Sequence, residues 1–98
     1  TGFSHRDNMP EAVSVLFDKE VAGFGEMFCV LSKDDIGMST LQSRAVAGMA
    51  NSTAIFCLPG STGACRTGWE GILSEQLDNR TRPCNFVPHL MRQNPIHD

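Results

Sequence analysis

The chain has 98 residues, 41% of them apolar, with 11 acidic and 8 basic side chains and a net charge of −3. That length is one domain or part of one, with a core small enough to keep stability marginal. The basic stripe that tracks nucleic-acid phosphates is absent, and no apolar run approaches the roughly 18 residues of a membrane span.

Taken in chain order, Thr1-Gly2 reads as a turn, followed by the Arg6-Asp7 pair. Asn8-Met9-Pro10-Glu11 reads as a helix start, with Asn8 as cap and Glu11 closing a capping box. The apolar positions Val13, Leu16, Phe17 and Val21 predict a helix over 9–21 that ends at Gly23. Phe24, Met27, Phe28 and Leu31 repeat the same spacing in a second helix that fades at 32–35. Gly37 marks a loop, and Ser39 to Gln42 a short helical turn. Arg44 to Met49 and Thr53 to Leu58 read as strands around an Asn51-Ser52 turn, the pair forming an antiparallel hairpin. The continuous run TAIFCL suits a strand buried on both faces. Pro59-Gly60 closes it, and Ser61 caps a third helix over 61–77. Its inner face would be Cys65, Trp69, Ile72, Leu73 and Leu77. Gly63, Gly68 and Gly71 in that helix point to close packing against another backbone. From Asp78 onward the prolines predict an irregular tail.

Cys29, Cys57, Cys65 and Cys84 show no C-x-x-C pair, which argues against a zinc site. They read as reduced thiols packed as small hydrophobes in a cytoplasmic protein. His5, His89 and His97 have no ligand spacing. Three helices and two strands do not close a sheet, and helices with such faces need one to cover. The expectation is that an N-terminal βαβ portion of the domain lies outside these residues.

Four segments carry chemistry. Thr1-Gly2 with Arg6-Asp7 looks like the second half of a phosphate-binding turn, in which backbone N–H groups approach a phosphate. Asp7 could hold Mg²⁺ against a triphosphate; the same pattern also fits a polar loop in which Asp7 bonds its own backbone. The strand, the Pro59-Gly60-Ser61 turn and the helix that follows make an anion site by geometry, or an ordinary connection. Arg44, beside Ser43, suits bidentate binding of phosphate or carboxylate, or a surface ion pair. Gly23-Phe24-Gly25-Glu26 reads as a tight backbone turn with a packing role.

In order, the blocks TGFSHRD-x-x-PEA, GFGE, Ile36-Gly37 to Ser43-Arg44-Ala45, IFCLPGS and RTRPCNFVPHL closely resemble the molybdenum cofactor biosynthesis protein B family, the MoaB/Mog group. The resemblance runs from about Thr1 to Leu90, and the tail is closer to the B subgroup. It implies a three-layer α/β/α sandwich with a mostly parallel sheet, of which residues 1–98 are the C-terminal portion. It also implies a homotrimer or a dimer of trimers, with other proteins of cofactor biosynthesis as possible partners. The activity it implies is binding of molybdopterin and adenylylation of its terminal phosphate by Mg-ATP, with release of pyrophosphate; the alternative is a non-catalytic accessory protein that holds the pterin. Mapped residue by residue, Thr1 and Gly2 fall on the nucleotide-facing turn and Asp7 on the acidic residue that organises Mg²⁺. Ser43-Arg44 and Pro59-Gly60-Ser61 fall on the pterin and phosphate pocket. The family's first strand, Ser-rich loop and second acidic residue lie upstream of Thr1, so the 98 residues alone are expected neither to fold well nor to catalyse.

Overall fold

The computed structural model describes residues 2, 3 and 5–91. In chain order the elements are α1 (Met9–Ser14), β1 (Lys19–Glu20), α2 (Ala22–Ile36) and a 3-10 segment (Gly37–Gln42). Then come β2 (Val46–Ala50), β3 (Thr53–Cys57), α3 (Thr62–Gly68), a widened π-type segment (Trp69–Leu73), α4 (Ser74–Gln76) and α5 (Val87–Met91).

The sheet is organised by one tight turn. Asn51 and Ser52 adopt φ of 54° and 76°, the left-handed pair that matches the twist of a two-residue hairpin. Asp18 steadies the turn by accepting the Asn51 N–H at 2.8 Å. The turn sets β2 against β3 with Val46 opposite Cys57 and Ala50 opposite Thr53, so the expected hairpin is present. β1 pairs with the other edge of β2, giving the order β1-β2-β3. Both pairings are antiparallel, and no parallel pair occurs among the described residues. A two-residue connection leaves no room for the crossover that parallel strands require. β3 is only half-buried, not covered on both faces, and it is an edge strand among the described residues.

Helices pack on this sheet in an α/β arrangement. α2 contributes Phe24 and Phe28, 3% and 1% exposed, to a core completed by Ala45, Ala47 and Leu73. Phe56 meets Phe24 edge-on with centroids 5.1 Å apart. α2 extends further at both ends than the periodicity indicates, and Gly25 lies inside it rather than in a turn. An ideal Cβ on Gly25 would sit 2.5 Å from the Ala45 carbonyl oxygen, so glycine there allows helix and strand to approach. Ser32 and Thr40, both buried, hold the 3-10 segment against α2. Ser32 Oγ donates to the Phe28 carbonyl and lies 3.3 Å from Thr40 Oγ1, which donates to Cys29 O at 3.4 Å.

The first helix is much shorter than expected. It stops at Ser14, and Val15 and Leu16 are exposed, 81% and 59%. Backbone pairing with β2 wins over helical spacing: the Asp18 and Val21 N–H groups donate to Met49 O and Ala47 O. Asn8 makes no side-chain cap bond, and Glu11 turns to Arg44 instead of closing a capping box. In the third helix Leu73 is buried, but Trp69 is 54% exposed and Cys65 is exposed, which corrects the expected inner face. Its glycines meet side chains rather than backbone. Gly68 lies under Leu58 and Gly71 under Leu31, while Gly63 faces open space. All four cysteines are free; Cys29 and Cys57 are half-buried, whereas Cys65 and Cys84 are exposed rather than packed.

In the tail, the Arg80 guanidinium and backbone N–H both donate to Asp78 at 2.7–2.9 Å. These bonds lower the Asp78 pKa from 3.8 to about 2. A folded-state pKa below the unfolded value gives stability that is complete above about pH 4 and lost as the pH falls through about 2. Asp78→Asn is therefore expected to lower stability slightly above about pH 4, the effect being small because Arg80 is exposed, and to converge with wild type near pH 2, so that its acid limb is flatter. Urea midpoints of both proteins from pH 5 to 2 test this; parallel acid limbs would contradict it.

Candidate functional site

The end of β3 runs into Pro59-Gly60-Ser61, and Ser61 starts α3. Ser61 Oγ accepts the Ala64 N–H at 3.1 Å, the N-cap expected from the sequence. This turn forms one wall of a cleft of about 410 Å³. The opposite wall is the C-terminal half of α2, with Phe28, Ser32, Asp35 and Ile36; Ser43 closes one side, and Gly63, Ala64, Arg66 and Thr67 of α3 the other. Strand end, glycine turn and helix start therefore meet at a concave surface, the usual place for a ligand in an α/β sheet.

Ser43, Pro59 and Ser61 line this cleft together, with Gly60 between the last two in the same turn. Asp35, Arg66 and Thr67 also line it, although no motif in the sequence marks them. Thr67 Oγ1 lies 3.5 Å from Asp35 Oδ2 across the gap between α3 and α2. Phe28 and Ile36 thus give the cleft an apolar lining, and Asp35 and Arg66 one acidic and one basic side chain. Only packing of two helices 32 residues apart brings Asp35 to Thr67, and no local motif marks such a pair.

Arg44 faces away from this group. Its Nε donates to Gly2 O at 2.6 Å and one terminal nitrogen donates to Asp7 O. Both terminal nitrogens reach the Glu11 carboxylate. The guanidinium also lies over the Phe3 ring, 5.9 Å from its centroid. Hydrogen bonding to Arg44 holds the Glu11 carboxyl below its ordinary value, and Glu11 in turn raises the Arg44 pKa. The Asp7 carboxylate packs against Gly2, where an added Cβ would come within 2.7 Å of Oδ2. Gly2, Asp7 and Arg44 are thereby brought together, one residue along the chain from Ser43. Thr1 lies outside the described residues.

No group of three His, Cys, Asp or Glu side chains suited to a metal occurs among the described residues. Magnesium takes most of its ligands from water and phosphate oxygens and needs only one or two carboxylates, so the single carboxylate of Asp7 is compatible with it. No helix among the described residues is long and apolar enough to cross a membrane.

Comparison with known proteins gives one consistent result. The family described as "Probable molybdopterin binding domain" matches residues 1–79. The chain is 64% identical over 92 residues to molybdenum cofactor biosynthesis protein B of Escherichia coli K12, covering 94% of this chain and 54% of that protein. A crystal structure of a molybdenum cofactor biosynthesis protein B superposes with a TM-score of 0.76 at 44% identity, over 79% of this chain and 48% of the other. The tungsten cofactor synthesizing protein MoaB of Pyrococcus furiosus superposes with a TM-score of 0.69 at 42% identity, over 76% of this chain and 49% of that one. The chain thus spans about half the length of these relatives and represents a fragment of their full fold.

Proposed function

The chain belongs to the molybdopterin binding domain family, and from that premise we propose that it forms part of a protein of molybdenum cofactor biosynthesis that binds molybdopterin in the cleft between α2 and α3. The observation that carries this reading is the convergence of Ser43, Pro59 and Ser61 on one cleft at the end of β3. The turn and helix start suit the pterin's terminal phosphate, and the apolar lining at Phe28 and Ile36 suits its flat ring. The similar proteins carry names that place them in synthesis of the molybdenum or tungsten cofactor.

The reaction we assign is adenylylation of the bound pterin. An oxygen of its terminal phosphate attacks the α-phosphorus of ATP, the bond from that phosphorus to the β-phosphate oxygen breaks, and pyrophosphate leaves with the electron pair. No side-chain nucleophile is needed, so catalysis is positioning and charge neutralisation. Gly2, with Thr1 before it, would face the nucleotide; Asp7 would hold Mg²⁺, which would supply charge neutralisation at the phosphates. The assembly is a homotrimer or dimer of trimers in the cytoplasm, consistent with Met27, Val30, Met38 and Leu41 being exposed along α2 and the 3-10 segment. The second reading is a pterin-holding accessory protein without turnover, in which the cleft between α2 and α3 is filled and no nucleotide reacts.

Pyrophosphate release from Mg-ATP and molybdopterin by the full-length protein separates the two. Release that requires both substrates supports the transferase; molybdopterin binding with no pyrophosphate supports the accessory protein.

A further inference from the structure

Arg44 spans two parts of the chain that are distant in sequence. On one side its backbone is fixed, because buried Ala45 follows it and carries the carbonyl against which Gly25 packs. On the other side its planar fork reaches the carbonyl oxygens of Gly2 and Asp7. Glu11, in α1, accepts from both terminal nitrogens. A guanidinium has five N–H donors in fixed directions. Here two backbone carbonyls, one carboxylate and one aromatic ring surround it.

We propose that Glu11 is a positioning residue that aims the Arg44 guanidinium, and that Arg44 in turn fixes the backbone at Gly2 and at Asp7, so that the pair sets the geometry of the nucleotide end of the site without touching the nucleotide. This rests on the reading of the Thr1-Gly2 turn as nucleotide-facing given above. It changes the part assigned to Arg44: the residue acts on the protein's own carbonyls, not on a substrate phosphate. It also links the two ends of the site, since Ser43, on the pterin cleft, is covalently joined to the residue that holds the nucleotide turn.

One substitution separates positioning from direct contact by the sign of its effect. Glu11→Gln removes a negative charge and loosens the guanidinium. Were Arg44 a phosphate ligand, that change would free it and tighten nucleotide binding. As a positioning pair, Glu11→Gln weakens it. Arg44→Lys keeps the charge but loses the fork, and one ammonium with three donors cannot reproduce the four directed bonds.

The experiment is calorimetric titration of full-length wild type, Glu11→Gln and Arg44→Lys with Mg-ATP and, separately, with molybdopterin. Both variants are expected to raise the Kd for Mg-ATP by about tenfold, a loss of about 1.4 kcal/mol in binding, and to leave the Kd for molybdopterin within about twofold. A merely structural role would weaken both ligands in parallel and overturn the inference. Unchanged or tighter Mg-ATP binding by Glu11→Gln would also overturn it, with the proposed function left standing. If wild type binds molybdopterin but not Mg-ATP, the nucleotide turn and this inference fall together while the pterin cleft survives. Binding of neither ligand overturns the proposed function as well.

Discussion

Phe28→Ala is expected to lower the unfolding free energy by about 3–5 kcal/mol, the range for truncating a buried aromatic. The ring is 1% exposed and lies at the centre of the cluster formed with Phe24, Ala45, Ala47 and Leu73. Its removal loses the transfer free energy of the ring and leaves a cavity that neighbours fill only in part. Two of those neighbours are alanines, whose side chains cannot swing into the gap. A domain of ordinary stability has about 5–15 kcal/mol in total, so this single change would consume a large share. Phe28 also lines the cleft, so ligand affinity should fall together with stability. Urea denaturation of the full-length protein measures the effect, and a loss below about 1.5 kcal/mol would show that this cluster is not the core.

Gly25→Ala decides between two opposed effects in one helix. Intrinsic propensity favours alanine over glycine by about 1 kcal/mol in a helix interior. The structure opposes it: the added Cβ would lie 2.5 Å from the Ala45 carbonyl oxygen. That atom belongs to backbone and has no rotamer through which to withdraw. Relief requires moving α2 away from the start of β2, and overpacking of this kind costs about 1–3 kcal/mol, occasionally more. The clash should win, so Gly25→Ala is expected to destabilise by about 1–3 kcal/mol. Gly23, in the first turn of the same helix, meets nothing within 4 Å, and Gly23→Ala is expected to be neutral or stabilising. Urea midpoints for the two variants provide the comparison. A stabilised Gly25→Ala would mean that α2 and β2 do not approach as described.

These examples show which parts of the fold were legible in the sequence. The hairpin was, because Asn51-Ser52 between two apolar runs carries its turn chemistry locally. The start of the third helix was, because Ser61 caps it within three residues. The end of α1 was not. Leu16, Phe17 and Val21 keep helical spacing, but the Asp18 and Val21 N–H groups bond across to β2, and Phe17 covers Gly48. Trp69 misled for a related reason: its spacing matches a buried face, yet no described element covers it.

The site divides in the same way. Ser43, Pro59 and Ser61 sit in a motif that can be read along the chain, and all three line the cleft. Asp35, Arg66 and Thr67 reach it only through the packing of α2 on α3. The Glu11–Arg44 pair is 33 residues apart. Glu11 looked like half of a capping box and Arg44 like a ligand-binding loop residue. The order of the motifs in the sequence carried the family, whereas the partners of Arg44 could be seen only in three dimensions.

The central claim is that the cleft between α2 and α3 holds molybdopterin. Gly63 lines this cleft, and a Cβ there meets nothing within 4 Å, so a side chain at this position begins without a clash. The most direct test is titration of the full-length protein with molybdopterin, wild type beside Gly63→Leu. Saturable binding by wild type, weakened about tenfold or more by a leucine whose cost is one lost well-placed contact of about 1.4 kcal/mol, with the urea midpoint unchanged or raised, is the expected result. Equal affinity in the two proteins, or no binding by wild type, would contradict the claim.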